Sequence, residues 1–254
     1  MSTPAAREFV QSLALPEPAP QLESVERAAP VIFSEEQEAV AVGAQVTEFS
    51  NQVASAQRAA VADCLLLAQL AANKATAQQP DLMAWYRKYV EVLQGVGWTV
   101  QSMSLEEKQV SDMDAGVHSA IIPVLTGMLG PAVAAASMVI SVLKGLQEMD
   151  KGNPWITVFD RASQHASGAK FQFGFVDADA GANPAISIKL LAVAIDAKRT
   201  ITQVLFFKFS QNDAKLKTSE GELSIMGSRL ESIQAVVADR VQPFLAENIS
   251  KLDI

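Results

Sequence analysis

The sequence predicts an α+β fold, and three observations carry that prediction. Between residues 34 and 149, apolar side chains recur at three- and four-residue steps. From Trp155 to Met226 the pattern changes to short alternating or wholly apolar runs separated by turn residues. A final helical pattern then runs from about Ser228 to Ser250. Helices and strands segregated in this way belong to a helical layer packed on an antiparallel sheet. The expected organisation is a disordered, acidic, Pro/Ala-rich arm over residues 1–33 and a single α+β domain over 34–254. Within that domain, 34–149 is the helical part, and 150–254 supplies a four-stranded antiparallel sheet closed by a terminal helix.

Each element has its own reason. Residues 1–33 hold five prolines among Ala, Glu and Ser, too little apolar surface to order a chain alone. Within them AREFVQSLAL could form a short amphipathic helix on meeting a partner. Ser34 with Gln37 resembles a capping box, so a helix is expected from Ser34 to about Ala77, either continuous or broken once. Its face is Val42, Val46, Phe49, Val53, Ala56, Ala60 and Cys64. DLMAWYRKYVEVLQ forms a second helix ended by Gly95 and Gly97, and Trp98–Val100 begins an edge strand. Four strands follow, at Phe171–Val176, Ile186–Ile195, Thr200–Phe209 and Lys215–Met226. The second is apolar on both faces, as a central strand is. Pro243 bends the last helix.

The most informative stretch is the 25-residue run from Ser119 to Leu143, which contains no formal charge. Gly130-Pro131 divides it into two apolar arms, a hydrophobic helical hairpin. Colicin-like pore-formers and some helical toxins hide a hairpin that resembles it in pattern. Each arm is shorter than the roughly 20 residues that span a bilayer. The candidate membrane- or partner-binding residues are Ile121, Ile122, Leu125, Leu129, Val133, Met138 and Ile140.

Composition bounds the rest. A net charge of −8 and no Lys/Arg stripe exclude a nucleic-acid partner. Residues 1–50 carry eight acidic and two basic side chains, against four and seven in residues 151–210. A single cysteine, Cys64, excludes an intramolecular disulfide and sits on an apolar stripe. The two histidines, His118 and His165, fall in no catalytic motif, and no phosphate loop or zinc signature is present. Asp177-Ala-Asp179-Ala-Gly181-Ala-Asn183 resembles the start of a calcium loop, but its glycine is one place early and Ile188 stands where the bidentate Glu belongs. No catalytic residue, metal site or cofactor is therefore expected. The expected function is a non-enzymatic binding protein, membrane-active in the manner of a bacterial effector or toxin component, with membrane lipid or a partner protein as its ligand. The alternative is a soluble interaction or structural protein that keeps the hairpin as permanent core. Without a signal-peptide pattern, the expected location is cytoplasmic, or exported without a cleaved signal.

Overall fold

A computed structural model describes residues 3–18, 31–77, 82–108, 116–165, 168–197, 201–208 and 214–252. Its centre is one mixed sheet of eight strands rather than the four-stranded antiparallel sheet expected. The strands are β1 (Glu38–Val42), β2 (Gln45–Phe49), β3 (Thr99–Lys108), β4 (Gln164–His165), β5 (Gly168–Ala178), β6 (Ala185–Ala197), β7 (Ala214–Met226) and β8 (Ile249–Lys251). They lie in the order β3-β7-β6-β5-β2-β1-β8, with β4 paired to the start of β5. Every pairing is antiparallel except that of β2 with β5.

Helices cover both faces. On one lie α1 (Thr3–Ser12), α2 (Ser55–Ala75) and α3 (Leu82–Val96). On the other lie α4 (Val117–Leu129), α5 (Pro131–Ala136), α6 (Met138–Gly145) and α7 (Pro154–Ser163). α8 (Gly227–Val241) completes the first layer, and after a 3₁₀ turn at Gln242–Phe244 the short α9 (Leu245–Asn248) leads into β8. β6 shows why two layers are needed. Ile186, Ile188 and Leu190 join the core under α2, α3 and α8, whereas Leu191, Val193 and Ile195 join the core under α4–α7. Side chains alternate across a strand, so a strand apolar on both faces requires cover on both.

Three sequence expectations are corrected. Residues 38–49 form the β1–β2 hairpin and not the first third of a long helix, which begins only at Ser55. All ten strand residues are buried, so no period-two signal survives, and Ala and Gln counterfeit a helix. The marker is Gly43, whose φ of +54° suits the two-residue turn between the strands. Residues 201–208 are a turn segment rather than a strand, with one bridge from Lys208 to Gly116. Ile201, Val204 and Leu205 are buried there, while the Val204 N–H donates to Asp160 and the Phe207 carbonyl accepts from Val117. The apolar composition thus fills a core without entering a ladder. Thr3–Ser12, expected within the disordered arm, form α1 with Ala6 and Val10 fully buried. The surface this amphipathic segment meets is the chain's own. The Phe9 ring takes the space above Gly95, 2.2 Å from where a Cβ would stand, and Arg7 donates to the Ser232 carbonyl at 2.8 Å. Residues 19–30 of the expected arm lie outside the described residues.

One buried cation fixes the hairpin to α2. Arg58 is fully buried and donates to the carbonyls of Val53 at 2.7 Å and Ser50 at 2.9 Å, to that of Glu36, and to Glu38 Oε1 at 2.8 Å. Burial opposes the charge on Glu38, but hydrogen bonds from Lys251, Arg58 and the Ser34 N–H hold its pKa below the ordinary value.

Leu190 is fully buried at the sheet centre. Replacing it with Ala is expected to cost on the order of 2–5 kcal/mol by denaturant midpoint. A loss under about 0.5 kcal/mol would show that α2 and α3 do not cover it.

Candidate functional site

The charge-free run builds most of one helical layer. α4 starts where the Val117 N–H donates to the Phe207 carbonyl, and His118 lies buried beneath it. His118 Nδ1 donates to the Leu205 carbonyl at 3.1 Å, and its Nε2 faces the Gln147 amide at 3.4 Å. Both ring nitrogens therefore serve the packing of α4. The break at Gly130-Pro131 falls where the sequence placed it, with Gly130 at φ +79° and Pro131 opening α5. The second arm breaks again at Ser137, whose Oγ accepts the Ile140 N–H and caps α6.

Six of the seven candidate residues belong to or pack against the core beneath the layer. Ile121, Leu125, Leu129 and Ile140 are buried in the core beneath the layer, Ile122 and Val133 pack against that core partly exposed, and Met138 is half-buried at the start of α6. The outward positions include Ser119, Pro123, Thr126, Pro131, Ala135 and Ser141, all exposed. From Ser119 to Leu143 the chain itself carries no formal charge. Among the described residues no helix is long and apolar enough to cross a membrane.

This layer is tied to the sheet through Glu48 of β2. Its side chain is 1% exposed, yet it accepts from Ser137 Oγ at 2.7 Å, from the Met138 and Val139 N–H groups at 3.0 and 3.1 Å, and from Gln37 Nε2 at 2.5 Å. A carboxylate at a helix N-terminus meets free N–H groups and the positive end of the helix dipole. Sequence reasoning missed it because residue 48 fell inside an expected helix.

The opposite face holds a buried polar seam that a closer reading of β5 could have found. Phe171, Phe173 and Phe175 alternate with Lys170, Gln172 and Gly174 on a strand covered on both sides. Lys170 and Gln172 are 6% and 1% exposed. Lys170 Nζ donates to Asn73 Oδ1 at 3.1 Å and stands 4.5 Å above the Trp85 ring; Trp85 Nε1 donates to the same oxygen at 2.7 Å. On neighbouring β2, Gln45 accepts from the Tyr89 hydroxyl at 2.8 Å. Burial lowers the Lys170 pKa to about 7. Burial, aided by the Lys170 charge, lowers His165 to about 4.

Other candidates are not brought together. Cys64 is fully buried in the core below α2, across the sheet from His118, and burial next to Asp63 raises its pKa to about 12. Asp177 accepts from Ser50 Oγ at 2.6 Å and Asn183 from the Ser228 N–H at 2.9 Å, so both serve the hairpin and the start of α8.

No protein-family model and no curated protein match the sequence. Among solved structures the chain is similar to a delta-endotoxin at 12% identity, with a TM-score of 0.36 over 82% of this chain and 89% of that one. It is similar at 12% identity to the activated Cyt2Ba monomer from Bacillus thuringiensis subsp. israelensis, with a TM-score of 0.28 over 56% and 78% of the two chains. A third likeness, to the Evf virulence factor, has 12% identity and a TM-score of 0.30 over 87% of each chain.

Two outcomes test this geometry. Glu48→Ala should cost about 2–4 kcal/mol, because it strands buried donors of Ser137, Met138 and Val139, and should accelerate hydrogen exchange in α6 before α2. Equal exchange in both helices would refute a local tie. For Lys170, a folded pKa below the unfolded value means stability is present above about pH 10 and lost as pH falls through about 7. Lys170→Met should therefore stabilise the protein most below about pH 7, and its advantage should shrink toward about pH 10. A constant difference across that range would show that the amine is not desolvated.

Proposed function

We propose that the protein is a non-enzymatic binding protein, effector- or toxin-like in mode, that engages a membrane surface through α4–α6. One observation carries the reading: a three-helix layer with exposed positions bears no formal charge from Ser119 to Leu143. Solvated helix faces are normally charged, so an uncharged one suits an apolar or interfacial neighbour. At 13, 6 and 8 residues the helices reach about 20, 9 and 12 Å, short of a roughly 30 Å hydrocarbon core. They would lie in the interface rather than cross it. The net charge of −8 repels anionic lipid, so binding should strengthen as acid neutralises carboxylates.

A second reading has its own support. Ile121, Leu125, Leu129 and Ile140 are buried, as permanent core would be, and the layer then serves a soluble interaction or structural role.

Vesicle flotation separates the two. Wild-type protein should bind vesicles containing anionic lipid more strongly at about pH 4.5 than at about pH 7.5. Ala135→Asp, at an exposed position, should leave the soluble fold intact and weaken binding about tenfold or more, since a charge taken into a bilayer costs up to about 2.5–3.5 kcal/mol. Failure of wild-type protein to float at either pH leaves the soluble reading.

A further inference from the structure

Between the last turn of α4 and the β3 edge of the sheet lies an open groove of about 320 Å³, a volume that suits a small ligand. Its helical wall is Gly127 and Met128, and its floor is built from strand side chains. Glu220 of β7 pairs in register with Leu191, which belongs to the core beneath α4–α7, so this row faces the α4 side. Two residues on, Glu222 lies between Lys189 of β6 and Ser102 of β3, and Ser104 stands opposite Glu220. The floor therefore presents two carboxylates, one ammonium and two hydroxyls. Lys189, Glu220 and Glu222 are half-buried, and among the described residues none of the three has an ion pair or a side-chain hydrogen bond. Lys189 and Glu222 oppose each other across the ladder without closing a pair, so both charges remain available to the groove. The wall adds an acceptor. The Gly127 carbonyl has no helical donor, because the residue four places on is Pro131, and the C-terminal end of a helix carries negative potential.

We propose that this groove binds a free basic amino acid, a diamino monocarboxylate of the lysine or ornithine type. Its two cations and one anion complement the two carboxylates and one ammonium of the floor. The order of the charges also agrees. In such a molecule the α-ammonium and the carboxylate are neighbours, as Glu222 and Lys189 are across the ladder, with Cβ atoms about 5 Å apart. The distal ammonium lies three or four methylenes away, and Glu220 lies one side-chain repeat along β7, about 7 Å from Glu222. Ser104 and the Gly127 carbonyl supply acceptors for the remaining N–H groups of that ammonium. The methylene stem passes the partly exposed Met128. Other charge patterns match less completely. A diamine leaves Lys189 without an anion, a neutral amino acid leaves Glu220 without a cation, and a dicarboxylate meets like charge on β7. The inference does not depend on the membrane reading.

Titration of the ¹⁵N-labelled full chain with amino acids, read from amide chemical shifts at low ionic strength, tests the proposal. Lysine and ornithine should move the amides of residues 102–104, 127–128, 189 and 220–222, and the shifts should saturate below about 10 mM. Norleucine lacks the distal ammonium and 1,5-diaminopentane lacks the carboxylate. Each should bind about fivefold or more weakly than lysine, the worth of one partly exposed charge pair. Glu220→Gln should erase the preference for lysine over norleucine while leaving norleucine affinity unchanged. Lys189→Gln should erase the preference for lysine over the diamine. Should either variant fail to fold, the ligand series on the wild-type chain decides alone. Equal affinity for lysine, norleucine and the diamine overturns the proposal, as do shifts confined to other surfaces or no saturable shift at about 10 mM.

Discussion

Burial of β6 on both faces sets the terms for the whole molecule. Its 13 residues put apolar side chains above and below the sheet, so neither surface can be left to water. A CH₂ group removed from water is worth about 0.8 kcal/mol, and exposing either side of β6 would forfeit several side chains' worth. The chain therefore supplies cover twice, first with α2 and α3 and then, after β3 has formed the far edge, with α4–α7. The parallel β2–β5 pairing follows from the same demand. After the β1–β2 hairpin the chain leaves to build both layers and returns on the other side of β2, a long connection of the kind parallel neighbours require.

The two layers are attached by different means. α2 is held by side chains that reach backbone polar groups. Arg58 binds the Glu36 carbonyl on the approach to β1 and the Ser50 and Val53 carbonyls after β2, while Gln69 receives the Ala44 N–H at 2.9 Å and donates to the Val42 carbonyl at 2.7 Å. These contacts hold the hairpin at its open end through Arg58 and at its turn through Gln69. α4–α6 instead rest on an apolar underside, with polar ties at two places: His118 and Val117 at the start of α4, and Glu48 where α5 meets α6. The middle of α4 makes no such reach.

Legibility in the sequence followed how distinctly each element's residues sit between water and core. α3 and α8 have one wet and one dry face, and their periodicity is plain; β6 is equally clear from its apolar run, whereas β7 has no such run and is the weakest of the expected strands. The coarse α+β class and the break at Gly130-Pro131 rest on such features. β1 and β2 have no wet face, so the period that would identify them vanishes, and Ala-rich composition then favours a helix. Residues 201–208 mislead for the converse reason: β-branched and aromatic residues suit a strand, but their backbone groups find Asp160 and the start of α4 instead. Glu48 was invisible because its meaning depends on Ser137, far away in sequence. Lys170 and Gln172 were visible in principle, as polar residues interrupting the buried face of a strand.

Those interruptions show how this sheet distributes polarity. Glu48 and Lys170 are single charges buried on opposite faces of adjacent strands, and their surroundings differ in kind. Glu48 is saturated by donors, including two backbone N–H groups that would otherwise have no partner, so its burial stabilises a helix start. Lys170 shares one acceptor with Trp85, and two residues along the strand the buried Gln172 amide has no partner among the described residues, so hydrogen-bonding capacity there is unused. A saturated buried charge explains itself structurally. An unsaturated one persists against a cost that an apolar residue of similar length would remove, because an aliphatic chain at position 170 would pack against Trp85 without desolvating an ammonium. The physical asymmetry therefore separates the two: Glu48 belongs to the architecture that holds α4–α6 down, whereas Lys170 is held at a standing cost in desolvation.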